Sequence, residues 1–230
     1  MSEVWNNLIN IQDFLITQFD KSGTEIQEEG MEIYNKNGWI NRVWTSNSYR
    51  RAHIDVVDAR NSKGLWMMHC CVFPHLENNG PIFGFDVIAG KNKMTGAFLD
   101  FSPTVEKNHI MIEELGHYVS NLNWKKEREL PDWAKAIFSN HMVAAGNISN
   151  IDEITQVTIM VNDMITFYLD DIEKYNNLCS AEESILSQNN YAYYQKQNPH
   201  TPKTMTALGL DEIEVKNFIE NCLFPKIKSQ

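Results

Sequence analysis

The chain has 230 residues, 43% of them hydrophobic and 22% charged, with a formal net charge of −10. That length and composition fit one globular domain over residues 1–230, able to bury a core without a disulfide or metal staple. The acidic balance argues against double-stranded nucleic acid as a partner, which calls for a basic stripe. The cysteines Cys70, Cys71, Cys179 and Cys222 lack C-x-x-C spacing, and "MSEVWNNLIN" shows no basic region followed by an apolar one. A reducing, cytoplasmic compartment is the expectation. No apolar run reaches the ~18 residues of a membrane span.

In chain order, the first half reads as sheet. "MEIYNKNGWINRVW" places Asn37-Gly38 between two β-prone runs, a hairpin signal. Then come "RRAHIDVVDAR", "GLWMMHCCVFPH", "PIFGFDVIAG" and "KMTGAFLDFSP", each closed by Gly, Pro or Asn. Short connections between such strands predict an antiparallel meander. The second half reads as helix. One run opens at Ser102-Pro103-Thr104 and continues to about Asn121, and "LPDWAKAIFSNHM" carries Pro131 near its start. From Ile151 to about Cys179, apolar positions recur at three and four, through Ile154, Val157, Val161, Met164, Ile165, Tyr168 and Ile172. "SAEESILSQNNYAYYQKQ" and "LDEIEVKNFIENCLF" give two more. Strands followed by helices predict an α+β fold, a sheet covered by helices.

No G-x-G-x-x-G, P-loop, G-x-S-x-G or H-E-x-x-H is present. Cys70 and Cys71 are adjacent on a strand and point to opposite faces, so a shared metal is disfavoured. What remains is polar residues inside apolar strands. His53 and Asp55 share a face. His69 shares one with Leu65, Met67, Cys71 and Phe73, and Asp86 with Gly84 and Ile88. Singly, each reads more often as a satisfied core or edge residue. Together on paired strands they suggest a proton-handling site, since His titrates near neutrality and a carboxyl in an apolar wall can keep its proton. Gly84 would let a large ligand approach the backbone.

The segments "AHIDVV", "MMHCCVFP", "GPIFGFDVIAG", "DFSP" and "RELPDW" resemble the ferredoxin-dependent bilin reductases. The likeness is strongest to the phycocyanobilin-forming group and its phage-type, phycoerythrobilin-forming branch. The resemblance implies a three-layer α/β/α sandwich with a central antiparallel sheet. It implies biliverdin IXα bound between the sheet and C-terminal helices, with reduction through radical intermediates. No flavin, nicotinamide or metal would be bound. Ferredoxin would donate electrons singly to a monomer, in the cytoplasm of a bacterial or phage-infected cell. Basic residues Arg50, Arg51, Arg60, Lys63, Lys125, Lys126 and Arg128 would then face an acidic ferredoxin.

By the same resemblance, His69 stands beside the bilin D-ring carbonyl, and Asp86 contacts the pyrrole nitrogens or lactam and donates a proton. His53 supports His69 through bridging hydrogen bonds, Arg128 pairs with a propionate, and Thr95 lines the pocket. The chain departs from the family twice. Asp55 stands where phycocyanobilin-forming enzymes carry a glutamate tied to vinyl reduction, and one methylene less draws the carboxyl back by about an ångström or more. Asn198 stands for an aspartate that related enzymes use for A-ring protonation, and an amide is no acid at neutral pH. Phycoerythrobilin is therefore the expected product, with phycocyanobilin the competing one. A bilin-binding carrier without redox chemistry, or a structural α+β interaction protein, are the readings outside enzymology.

Overall fold

The computed structural model describes residues 2–35 and 38–228. Its centre is an antiparallel sheet with strands in chain order: β1 (Thr24–Ile26), β2 (Trp39–Thr45), β3 (Tyr49–Ala59), β4 (Leu65–Pro74), β5 (Ile82–Gly90), β6 (Lys93–Ser102) and β7 (Val143–Ile148). The four strands expected from "RRAHIDVVDAR" to "KMTGAFLDFSP" form the middle of this meander. The two faces of the sheet differ because side chains alternate along each strand. On β4, Trp66, Met68, Cys70 and Val72 join a wholly apolar core with α1 (Glu3–Ser22) and α5 (Ile151–Asp171). Leu8, Ile11, Leu15 and Phe19 of α1 meet that core, as do Val157, Val161, Ile165 and Tyr168 of α5. Each such buried side chain contributes about 1.5–3 kcal/mol.

The opposite face carries Met67, His69, Cys71 and Phe73 on the same strand. It is covered by α4 (Asp132–Lys135), α6 (Ala181–Gln195), α7 (His200–Ala207), α8 (Glu212–Asn217) and a π-helical turn over Phe218–Leu223. Helices on both faces of one antiparallel sheet make the expected α/β/α sandwich. Among the described residues no helix is long and apolar enough to cross a membrane.

Several expectations need correction. "MEIY" is not a strand: Glu32–Tyr34 is a 3-10 turn, Asn37 lies outside the described residues, and the partner of β2 is the earlier β1. The segment after Ser102 stays irregular until α3 (Ile110–Val119), where the His109 side chain caps the Met111 amide. The helix from Ile151 ends at Asp171, short of Cys179. Helices α1 and α7 and strand β7 were not anticipated. The short α2 (Arg60–Lys63) joins β3 to β4 and ends on Gly64, whose φ of 61° is open to glycine at little cost.

Candidate active site

Strand register brings the polar residues into one line. Asn41 of β2 lies opposite Asp55 of β3, Asp55 opposite His69 of β4, His69 opposite Asp86 of β5, and Asp86 opposite Phe98 of β6. Directly opposed residues share a face, so this row crosses the site face of five strands. His53 sits in the next row, opposite Cys71, which is itself opposite Gly84.

The centre of the row is a hydrogen bond of 2.8 Å between His69 Nδ1 and Asp86 Oδ1. The partners differ in access: the His69 side chain is 10% exposed and that of Asp86 is 42% exposed. Burial opposes the imidazolium, but the Cys71 sulfur and the Asp86 carboxylate together outweigh it, and His69 titrates above its usual range. Its Nε2 is buried and finds no protein partner. His53, wholly buried, shares a 3.0 Å hydrogen bond with Asn41 through Nε2. Burial holds its pKa well below normal, so it is neutral. The rings of His53 and His69 lie 6.3 Å apart.

Asp55 faces a different partner. The Trp39 indole Nε1 donates to its Oδ1 at 2.5 Å, which ties the carboxyl toward β2. Burial raises the Asp55 pKa from 3.8 to about 6, only partly offset by the indole bond.

The floor around Asp86 is partly open. On β5 the site-face positions Gly84, Asp86, Ile88 and Gly90 are all of intermediate exposure, while Phe83, Phe85, Val87 and Ala89 are buried. Met67, Thr95 and Phe98 extend this open floor. Arg128 stands at one end of it. Its guanidinium lies over Phe98, 5.7 Å from the ring centroid, and donates to the Thr95 carbonyl at 2.6 Å. Two glycines make room for it: a Cβ on Gly146 would come within 2.9 Å of Arg128 Nε, and one on Gly96 within 3.6 Å of Cζ. The Thr95 hydroxyl donates to the Ile88 carbonyl at 3.0 Å.

At the other end, α6 lowers Tyr191 onto the sheet. Its hydroxyl meets Cys71 Sγ at 3.5 Å, accepts from Gln195 Nε2 at 2.8 Å, and lies 3.4 Å from where a Gly84 Cβ would stand. Phe224 packs beside it, with ring centroids 6.4 Å apart, and 5.3 Å from the ring of His69.

The structure thus brings His69, Asp86, His53 and Asp55 together and sets Arg128 and Thr95 at the rim. Asn198 is elsewhere in use: it lies between α6 and α7, where its Oδ1 accepts from the His200 amide at 3.0 Å. Two of the basic residues expected on the surface are turned into the structure, Arg51 buried and Arg50 half-buried. Arg50 donates to Gln188 at 2.8 Å, and Arg51 to Glu28 at 2.7 Å and to the Cys222 carbonyl at 2.8 Å. They fasten the C-terminal layer to the sheet. Arg51 shares the face of His53 at even spacing, the signal that it points inward. Trp39, Asn41 and Tyr191 were missed, since their roles depend on pairing and packing across the chain.

The hydrogen-bonded His69–Asp86 pair thus lies in the half-open floor of an α/β/α sandwich. A family model described as ferredoxin-dependent bilin reductase matches residues 5–225, and the chain belongs to that family of enzymes. It is 27% identical over 201 residues to the phycocyanobilin:ferredoxin oxidoreductase of Prochlorococcus marinus (strain MIT 9515), covering 86% of this chain and 79% of the relative. To that of Synechococcus sp. (strain CC9605) it is 26% identical over 208 residues, covering 87% and 78%. The solved structure of a PcyX protein superposes with a TM-score of 0.71 at 34% identity, over 96% of this chain and 99% of that one. Phytochromobilin synthase from tomato, solved in complex with biliverdin, gives a TM-score of 0.72 over 93% of this chain and 81% of that one. Identity there is 15%, so that likeness concerns the fold.

Proposed function

We propose that this enzyme reduces biliverdin IXα by four electrons to phycoerythrobilin, through 15,16-dihydrobiliverdin, leaving the 18-vinyl group intact. Reduced ferredoxin supplies the electrons one at a time, with no bound flavin, nicotinamide or metal between. Four protons must accompany them. The observation that carries the reading is the His69–Asp86 pair at 2.8 Å, set in an apolar floor. His69 holds the proton, and Asp86, the more exposed partner, relays it to the bilin. Neutral His53 stands beside the pair, its ring 6.3 Å from that of His69 and its hydrogen bond made to Asn41 rather than to the pair. Arg128 clamps a propionate with its planar guanidinium, and the Thr95 backbone sets the angle of that clamp.

The product assignment rests on Asp55. Its carboxyl is shorter than glutamate and is turned to the Trp39 indole, away from a substrate on the floor. A proton for the vinyl group is thereby withheld. The competing product, phycocyanobilin, requires Asp55 to leave that bond. The same reading makes the protein a monomer acting in the cytoplasm of a bacterial cell, phage-infected or not. Anaerobic turnover with ferredoxin and biliverdin, followed by chromatography of the bilins, tests it. Phycoerythrobilin is expected, and phycocyanobilin would overturn the role given to Asp55.

A further inference from the structure

Tyr191 is a buried phenol at the deep end of the floor, and neither Asp86 nor His69 needs it for the chemistry above. Its surroundings are specific. The ring is held among Phe73, Phe138 and Phe224 at centroid distances of 6.0, 6.4 and 6.4 Å. The oxygen is placed by Gln195 and Cys71, over the backbone of Gly84. Burial pushes the phenol up, so it carries its proton at neutral pH.

The two ends of the floor are chemically opposite. Arg128 stands over Gly96 and Gly146, in the row of Ile88. Tyr191 stands over Gly84, four residues back along β5, or about 13 Å at ~3.3 Å per residue. Asp86 lies midway. In biliverdin IXα the propionates belong to the two inner rings. A bilin curled over Asp86 with its propionates at Arg128 therefore turns its terminal lactam rings toward Tyr191. The chain also has an amide, Asn198, engaged with the His200 backbone, where an A-ring acid was expected.

On the biliverdin reading, we infer that the Tyr191 hydroxyl is a further proton donor, serving the terminal A-ring during the second two-electron reduction. Ferredoxin delivers an electron to the bilin π-system. The Tyr191 O–H bond breaks, and its proton forms a new C–H bond on the A-ring diene. The phenolate left behind keeps the hydrogen bond donated by Gln195 Nε2 and regains its proton from water. A second electron and a proton from the Asp86–His69 pair complete the step. Gln195 is a positioning residue, because it steadies the phenolate without touching substrate.

Tyr191→Phe removes one oxygen and keeps the aromatic packing. It is expected to bind biliverdin, to complete the first reduction at the wild-type rate, and to accumulate the two-electron product. Conversion of that product should slow by about 100-fold or more, in the range of a lost general acid. With 15,16-dihydrobiliverdin supplied as substrate, kcat should fall while KM holds. Gln195→Leu should slow the same step and leave the first. A wild-type progress curve for Tyr191→Phe would overturn the inference, and so would equal slowing of both reductions, which marks a packing role. Failure of the wild-type enzyme to reduce biliverdin at all would instead refute the function on which the inference rests.

Discussion

Replacing Asp55 by Asn isolates a charge that the fold holds at a cost. The residue is 2% exposed, and burial raises its pKa from 3.8 to about 6 despite the Trp39 bond. A raised carboxyl favours the protonated form in the native state. Its contribution to stability is therefore complete below pH 3.8 and lost as pH rises through about 6. Between those limits the native chain binds more protons than the unfolded one, so stability falls with pH. The full penalty above pH 6 is about 3 kcal/mol, at 1.36 kcal/mol for each tenfold. Asparagine keeps an oxygen for the indole and cannot ionise. Urea unfolding of both proteins from pH 4.5 to 8 measures the difference between them, which cancels other titrating groups such as Asp100, also raised by burial to about 6. Asp55→Asn should be more stable at pH 8 by up to about 3 kcal/mol, with the gap closing toward pH 4.5. A difference independent of pH, or a variant less stable at pH 8, would refute the assignment of a strained buried carboxyl.

Asp55→Glu restores the longer side chain, which can bond the indole less directly and extend over the floor. It should divert part of the product to phycocyanobilin on the chromatogram; unchanged product would remove Asp55 from the choice. Arg128→Leu removes a charge-assisted contact of about 1.5–3 kcal/mol. Biliverdin titration should show affinity weaker by roughly 10- to 100-fold, and unaltered affinity would detach Arg128 from the propionates.

Much of this was legible from alternation within strands. "AHIDVV", "MMHCC" and "GFDVI" each put one polar set on one face, and those faces did meet. Alternation also disposes of the metal idea raised by two adjacent cysteines: Cys70 lies in the core against α1 and α5, and Cys71 on the other face under Tyr191. The same rule, applied to Arg51, predicts an inward side chain, so its place in a surface patch was an avoidable error. Helix α1 was legible too, since Val4, Leu8, Ile11, Leu15 and Phe19 recur at helical spacing behind a Ser2 cap. Strand β7 was not, because "VAAGNI" is mostly small residues with little β preference. Nor were Trp39 against Asp55, or Tyr191 over Gly84. The first depends on the register between β2 and β3, and the second on how α6 lands on the sheet about a hundred residues away.

The most direct test runs the wild-type enzyme and Asp86→Asn side by side, anaerobically, with reduced ferredoxin and biliverdin. The wild type should convert biliverdin through a transient dihydrobiliverdin to a four-electron product. The variant should bind the bilin but reduce it at least about 100-fold more slowly, having lost the exposed acid of the pair. Unaltered biliverdin in the wild-type reaction, or full turnover by Asp86→Asn, would contradict the assignment of this floor as a bilin-reducing site centred on His69 and Asp86.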